Sequence, residues 1–285
     1  MLNKSKSLMP ELLQIIHDKG TERPFTGVYD DFDGPGTYLC RQCGLGLFRA
    51  QHKFHSGCGW PSFDQGIGDN VRQIPDADHK RTEILCARCD AHLGHVFMGE
   101  RFTPLNTRHC VNSASLEYVP SLDVQDTEEA IFAAGCFWGV EYYFKKLPGV
   151  LKVESGYTGG HKSHPTYEQI CTGTTGHYEA IRVIYDVNKT SYEAVTQYFF
   201  EIHDATQTNG QGPDLGQQYL SAIFYYDDEQ KSVAESTIHT LTKNGYKIAT
   251  KLLPVAVFWP AEDYHQDYYA KTGKAPYCHR YEKIF

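Results

Sequence analysis

No apolar run in this chain of 285 residues approaches the roughly 18 residues that a membrane helix needs, so no segment reads as a membrane span. A basic excess is missing too: 27 Lys and Arg stand against 35 Asp and Glu, for a net charge of -8. Residues 1–120 carry a net -1 and the rest a net -7. Neither half has the positive surplus of a phosphate-backbone binder, so nucleic acid is not expected as a partner. Nine cysteines fall well short of the roughly 8–10% of a disulfide scaffold. Internal repeats and low-complexity stretches are also lacking, so the halves of the chain are not duplicates of each other.

What is present fits a soluble globular protein, with mean hydropathy -0.48, 41% hydrophobic and 22% charged residues. At about 150 residues per domain the length suggests two domains. The opening Met1-Leu2-Asn3-Lys4-Ser5-Lys6 has two lysines, but Pro10 and Glu11 interrupt the apolar stretch behind it. That does not read as a secretory signal, and a cytoplasmic location is expected. The cysteine count is odd, and four of the nine lie in two C-x-x-C pairs. Such usage suits metal binding or redox catalysis in a reducing compartment.

Residues 8–19 read as a short amphipathic helix with Pro10 in its first turn and Lys19-Gly20 as its stop. From Gly27 to about Val119 the chain is rich in Gly, Asp and aromatics with only short apolar runs, which predicts an all-β domain over 1–119. Residues 120–127 read as a linker. Residues 128–285 alternate strand and helix patterns: strands at 129–134, 178–185 and 220–226, helices at 138–146, 191–203 and 229–244. Ser191 is placed to cap the second of these helices. The alternation predicts an α+β or α/β domain.

Cys40-Arg41-Gln42-Cys43 and Cys86-Ala87-Arg88-Cys89 together suggest a tetrahedral four-thiolate zinc site, structural because no coordination position stays open. Redox-active dithiols are the competing reading, weakened by the lack of a βαβ pattern around either pair. A second alternative pairs His92 and His95 with Cys86 and Cys89, which leaves Cys40 and Cys43 without a role. Cys110 lies in Arg108-His109-Cys110-Val111-Asn112, where Arg108, His109 and Asn112 could lower a thiol pKa. It is a candidate nucleophile, the alternative being a small buried apolar residue. In the second half Gly135-Cys136-Phe137-Trp138-Gly139 follows an apolar strand and opens a helix, whose partial positive charge favours a thiolate. Glu179, if buried, would have a raised pKa and could serve as a general acid.

The segments Ser56-Gly57-Cys58-Gly59-Trp60-Pro61, Ala91-His92-Leu93-Gly94-His95-Val96-Phe97 and Arg108-His109-Cys110-Val111-Asn112-Ser113, with the four paired cysteines, resemble the B-type methionine sulfoxide reductases over residues 8–119. The resemblance implies Cys110 as nucleophile and Cys58 as resolving thiol. It implies a sulfoxide pocket of His92, His95, Arg108 and Asn112, with Trp60 on the substrate methyl. Many family members carry Asp two residues after the Phe of the Gly-His-Val-Phe run. Here Gly99 stands there with Glu100 beside it, so either Glu100 replaces that carboxylate or the polar network is rebuilt.

The segments Gly135-Cys136-Phe137-Trp138-Gly139-Val140-Glu141, Gly156-Tyr157-Thr158-Gly159-Gly160, Thr175-Gly176-His177-Tyr178-Glu179 and Gly216-Gln217-Gln218-Tyr219 resemble the A-type methionine sulfoxide reductases over residues 128–285, which implies a ferredoxin-like α+β fold. By that resemblance Cys136 is the nucleophile and Glu179 the acid. Tyr167, Asp214 and Tyr219 join the oxygen pocket, and Phe137 and Trp138 hold the methyl group. The family usually has Arg where this chain has Leu220. A fused enzyme is thus expected, acting on both sulfoxide epimers, free or in proteins, for repair of oxidative damage. It would use one structural Zn²⁺ and no organic cofactor, be recycled by thioredoxin, and be a monomer. Subtracting the assigned cysteines leaves Cys171 and Cys278. Cys171 reads as buried in an ordered element. Cys278 lies near the terminus, where mobility suits a resolving thiol, and is expected to be the second domain's resolving cysteine.

Overall fold

The computed structural model describes residues 7–285, and the opening segment examined for a secretory signal lies outside the described residues. The chain divides after Thr127 into two compact units.

In the first unit the opening helix is Pro10–Ile16, ending before the Lys19-Gly20 stop, with Pro10 at its start and Ile16 buried. Strands Gly46–Arg49, Thr37–Cys40 and Leu116–Val119 form one small sheet in that order. A second sheet runs Lys53–Phe54, Ser62–Phe63, Thr107–Val111, His92–Met98, Thr82–Cys86, Val71–Pro75. Every pairing between these neighbours is antiparallel. Tyr38, Leu47, Phe48, Phe63, Ile84, Leu93 and Val111 fill the core, and Phe48 stacks on Phe63 at 4.4 Å between centroids. The segment 120–127, read as a linker, packs on this unit. Val124 is buried, Gly46 N–H donates to the Gln125 carbonyl, and Thr127 Oγ1 donates to the Gly44 carbonyl at 2.9 Å.

The second unit is built on a six-stranded sheet in the order Lys251–Pro254, Ser221–Tyr225, Thr127–Ala134, Tyr178–Asp186, Val150–Thr158, Trp259–Pro260. Its four central strands, numbered along the chain, lie 4-1-3-2. Helices Phe137–Phe144 and Tyr192–Glu201 follow the first and third of them, which is the split βαβ arrangement of ferredoxin-like folds. Ser191 caps its helix by accepting from Ala194 N–H at 3.2 Å, as its position suggests. Asp227 does the same for Asp228–Lys243, accepting from Gln230 N–H at 2.8 Å. The strand Val150–Thr158, left unassigned by the sequence pattern, pairs with Tyr178–Asp186 almost throughout. Beyond Asp228–Lys243 the chain returns in long connections, and these bring the C-terminal residues to the Cys136 end of the first helix.

Candidate active sites and metal centre

The two C-x-x-C segments fold alike. Cys40 and Cys86 each end a strand. Their carbonyls accept from Gly44 N–H at 2.8 Å and Asp90 N–H at 3.0 Å, and their own N–H groups donate to the carbonyls of Leu45 and Ala91. Gly44 and Asp90 close these turns with left-handed backbones, φ 78° and 60°. The four sulfurs lie within 4.8 Å of one another. The close pairs run between the turns, Cys40 to Cys89 at 3.7 Å and Cys43 to Cys86 at 3.6 Å. A tetrahedron of thiolates about 2.3 Å from zinc requires sulfurs about 3.8 Å apart, so the donor set fits that ion. The arrangement argues against two separate dithiols. It also leaves the histidines outside: His92 Nδ1 bonds Glu83 at 2.7 Å and His95 Nε2 bonds Asp76 at 2.9 Å.

In the same unit, cross-strand register assembles a thiol site on one sheet face. His95 pairs with Cys110, Phe97 with Arg108, and Ser62 with Cys110 on its other side. Alternation along Thr107–Val111 therefore puts Arg108 and Cys110 on the same face. His109 points the other way, into the core, where it bonds the Phe63 carbonyl at 3.1 Å and packs near Phe48. His109 thus does not help Cys110 ionise, contrary to the expectation from sequence proximity. Asn112 is likewise turned away from the sulfur. Its amide donates to the Leu93 carbonyl and its oxygen accepts from Glu22 N–H. Glu22 in turn accepts Trp60 Nε1–H at 3.1 Å on its carbonyl, so Asn112 fixes the loop that holds the indole.

Cys58 Sγ lies 3.7 Å from Cys110 Sγ. It accepts from Ser56 Oγ at 3.0 Å and from Arg108 Nη1 at 3.4 Å. The hydrogen bond with Cys110 pulls the Cys58 thiol down to about 4, against burial and with the help of Ser56. The same bond, with burial, pushes Cys110 up, while Arg108 draws it down. The pair behaves as a unit that readily gives up one proton and holds the second. Arg108 is gripped by both Glu100 oxygens, at 2.7 and 2.9 Å, and its guanidinium lies over the Phe97 ring. Glu100, beside Gly99, thus supplies the carboxylate that holds Arg108. The fork fixes the guanidinium plane as a monodentate contact would not. Two carboxylates that sequence reasoning missed orient the histidines. Buried Glu83 bridges Lys19 and His92. His92 Nε2 is buried with no hydrogen-bond partner, so its second nitrogen is free to meet a ligand.

In the second unit Gly135, at φ 89°, turns the chain sharply from strand to helix and leaves Cys136 at the N-cap. The helix end does not by itself produce a thiolate here. A hydrogen bond to the Cys278 thiol, then burial, push the Cys136 pKa up. The first free amide of the helix serves Glu179 instead: Phe137 N–H donates to its carboxylate at 3.2 Å. Burial, and next the proximity of Cys136, push Glu179 well above the usual carboxylate range, against that amide. Tyr167 and Tyr219 are raised by burial and then by Glu179, so both phenols remain donors. Phe137 packs near Tyr157 and His265. Trp138 stacks on Tyr268 at 3.7 Å and donates Nε1–H to His265 Nδ1 at 3.0 Å. Leu220, in the position usual for Arg, packs against the apolar cluster of Ile131, Tyr178 and Phe224.

Cys136, Asp214 and Cys278 present their ligand atoms within 4.8 Å of one another. Cys278 is buried and Cys171 exposed, the reverse of the burial expected from their sequence settings. The cause is local: helix Tyr167–Cys171 ends at Cys171 and buries Ile170, whereas the C-terminal segment docks through buried His279. That imidazole bonds the Ala134 carbonyl through Nε2 at 2.6 Å and faces the Cys278 sulfur with Nδ1 at 3.1 Å. Burial lowers its pKa to about 4, so it is neutral, with Nε2 protonated and Nδ1 accepting. Tyr157, His265 and His279 escaped sequence reasoning; only the adjacency of His279 to Cys278 could have signalled any of them.

Residues 128–284 match the family model described as peptide methionine sulfoxide reductase, and residues 8–120 match the SelR domain. The chain therefore belongs to the peptide methionine sulfoxide reductase family, a B-type SelR domain followed by an A-type domain, each a reductase domain. The peptide methionine sulfoxide reductase MsrA of Thermus thermophilus is 54% identical over 152 residues, 53% of this chain and 86% of that protein. The MsrA of Nautilia profundicola is 48% identical over 150 residues, 53% and 87% of the two. The crystal structure of Mxr1 from Saccharomyces cerevisiae in reduced form is similar with a TM-score of 0.52 and 33% identity, over 55% of this chain and 93% of that one.

Proposed function

We propose that the two domains reduce opposite epimers of methionine sulfoxide, free or in proteins, and so repair oxidised methionine. The sulfoxide sulfur is a stereocentre, and one enzyme type serves each epimer. The A-type domain takes the S epimer and the B-type domain the R epimer. The observation that carries this reading is that each unit pairs two cysteines, Cys58 with Cys110 and Cys136 with Cys278, beside its own proton donors.

In the A-type domain Cys136 attacks the sulfoxide sulfur while Glu179 protonates the oxygen, with Tyr167 and Tyr219 donating hydrogen bonds to it. Asp214, within 4.8 Å, is within reach of the Cys136 proton through one water. Phe137 and Trp138 hold the methyl group. In the B-type domain Cys110 attacks, passing its proton to Cys58 at 3.7 Å. His92, His95 and Arg108 face the oxygen, Trp60 meets the methyl group, and Asn112 positions Trp60. In both, methionine leaves and the nucleophile becomes a sulfenic acid. The resolving thiol, Cys278 or Cys58, then displaces water to form a disulfide. Thioredoxin, a dithiol reductant, returns the pair to thiols by exchange.

One structural zinc in the four-cysteine centre supplies folding energy to the first domain. The function is tested by single-turnover reduction of each resolved epimer by Cys110→Ser and Cys136→Ser. Each variant should lose one epimer and keep the other.

A further inference from the structure

Cys136, Cys278 and Asp214 form a three-donor set in addition to the roles proposed for them in reduction. Two buried sulfurs and a carboxylate oxygen converge within 4.8 Å. Asp214 sits in the short hairpin of Gly210–Gln211 and Asp214–Leu215. Its two oxygens accept from the Tyr277 hydroxyl at 3.2 and 3.3 Å. Tyr277 is the neighbour of Cys278, so one C-terminal segment delivers a sulfur ligand and orients the carboxylate ligand. Outer hydrogen bonds of that kind fix metal ligands.

The thiol pair of the first domain makes the contrast. Cys58 and Cys110 are 3.7 Å apart, but a guanidinium nitrogen lies 3.4 Å from Cys58. No third cysteine, histidine or carboxylate joins that pair in a metal-holding group among the described residues. Two thiolates with a carboxylate suit a soft-to-borderline d¹⁰ cation, and three protein ligands leave a fourth position open.

We propose that the reduced A-type site binds a zinc-class divalent cation through Cys136, Cys278 and Asp214, separately from the four-cysteine centre. Binding releases the thiol protons and withholds the Cys136 nucleophile from substrate. The site exists only in the dithiol state. Reduction of one sulfoxide takes two electrons from the two sulfurs and joins them. It yields methionine and water, and removes both thiolate ligands. This redox dependence rests on the proposed Cys136–Cys278 disulfide; the reduced-state site does not.

Cobalt(II) is the probe, because it binds more weakly than zinc at a given site and will not displace zinc from the four-cysteine centre. Reduced full-length protein carrying its zinc is titrated with Co²⁺, and thiolate-to-cobalt absorption is followed. The expected result is a band saturating at one added equivalent and bleached by added zinc. It should be absent in Cys136→Ser and Cys278→Ser, and weakened about tenfold or more in Asp214→Asn, with zinc content and R-epimer activity retained in all three. No band in the reduced protein would overturn the proposal. So would a band that survives Cys136→Ser or vanishes in Cys58→Ser. After one turnover without reductant, peptide mapping reads the disulfide independently. A mapped Cys136–Cys278 bridge should bind no cobalt, and cobalt absorption from bridged protein would contradict the redox dependence.

Discussion

In the strand Thr107–Val111, Arg108 and Cys110 face the site while His109 faces the core, and every functional statement about that strand follows from this alternation. Glu100 carries the network one residue further by holding Arg108 in a two-point grip. Glu100→Ala should lower R-epimer kcat/KM about tenfold, or roughly 1.4 kcal/mol of transition-state stabilisation, and leave the S epimer untouched in a resolved-epimer assay. In the second domain the proposed acid is itself a carboxyl, Glu179. Burial pushes its carboxyl well above the usual carboxylate range, and the acid form is lost as pH rises through that elevated pKa. Glu179→Gln keeps the shape without the acid. S-epimer single-turnover rates should fall by roughly 10²–10⁴; a loss of less than about tenfold would place the proton donor elsewhere. At this scale the candidate nucleophiles, the candidate acid and the paired cysteines were legible because they lie in short sequence patterns. Glu83, Glu22 and His279 were not, because each reaches its partner across the fold. Cys171 and Cys278 were misjudged for burial because exposure depends on what docks over a segment.

Among elements, the helix Phe137–Phe144 and the C-terminal segment constrain each other. A Cβ on Gly139 would lie 2.2 Å from His279 Nδ1, a distance no side chain tolerates. Gly139→Ala should therefore displace the segment that holds Cys278. The first turnover with the S epimer survives and closure of the Cys136–Cys278 disulfide slows, as quenched-flow peptide mapping would reveal. Cys278→Ser should permit that single turnover and block recycling by thioredoxin. The strands and helices flanking Cys136 were readable from their alternation and caps. The strand Val150–Thr158 was not, because Lys152, Glu154 and Gly156 blur its period. The two cysteine turns are also elements with a testable energy. Cys86→Ser should release zinc, measured by elemental analysis, and unfold mainly the first unit, seen as loss of R-epimer activity with S-epimer activity kept, since structural zinc contributes folding energy directly.

For the whole molecule the central claim is that two unrelated folds, split after Thr127, carry two self-sufficient thiol sites of opposite stereochemical preference. Length suggested the number of domains, and the contrast between Gly-rich short strands and alternating strands and helices indicated their classes. The packed segment 120–127 was not readable, since Val124 and Thr127 find their partners only once the first unit has folded. The most direct measurement is single-turnover reduction of each resolved epimer by the intact chain, Cys110→Ser and Cys136→Ser, with disulfide mapping of the products. The intact chain should reduce both epimers, forming Cys58–Cys110 with the R epimer and Cys136–Cys278 with the S epimer, and each variant should lose only its own. Loss of both activities in either folded variant, or a Cys136–Cys171 bridge, would contradict the account.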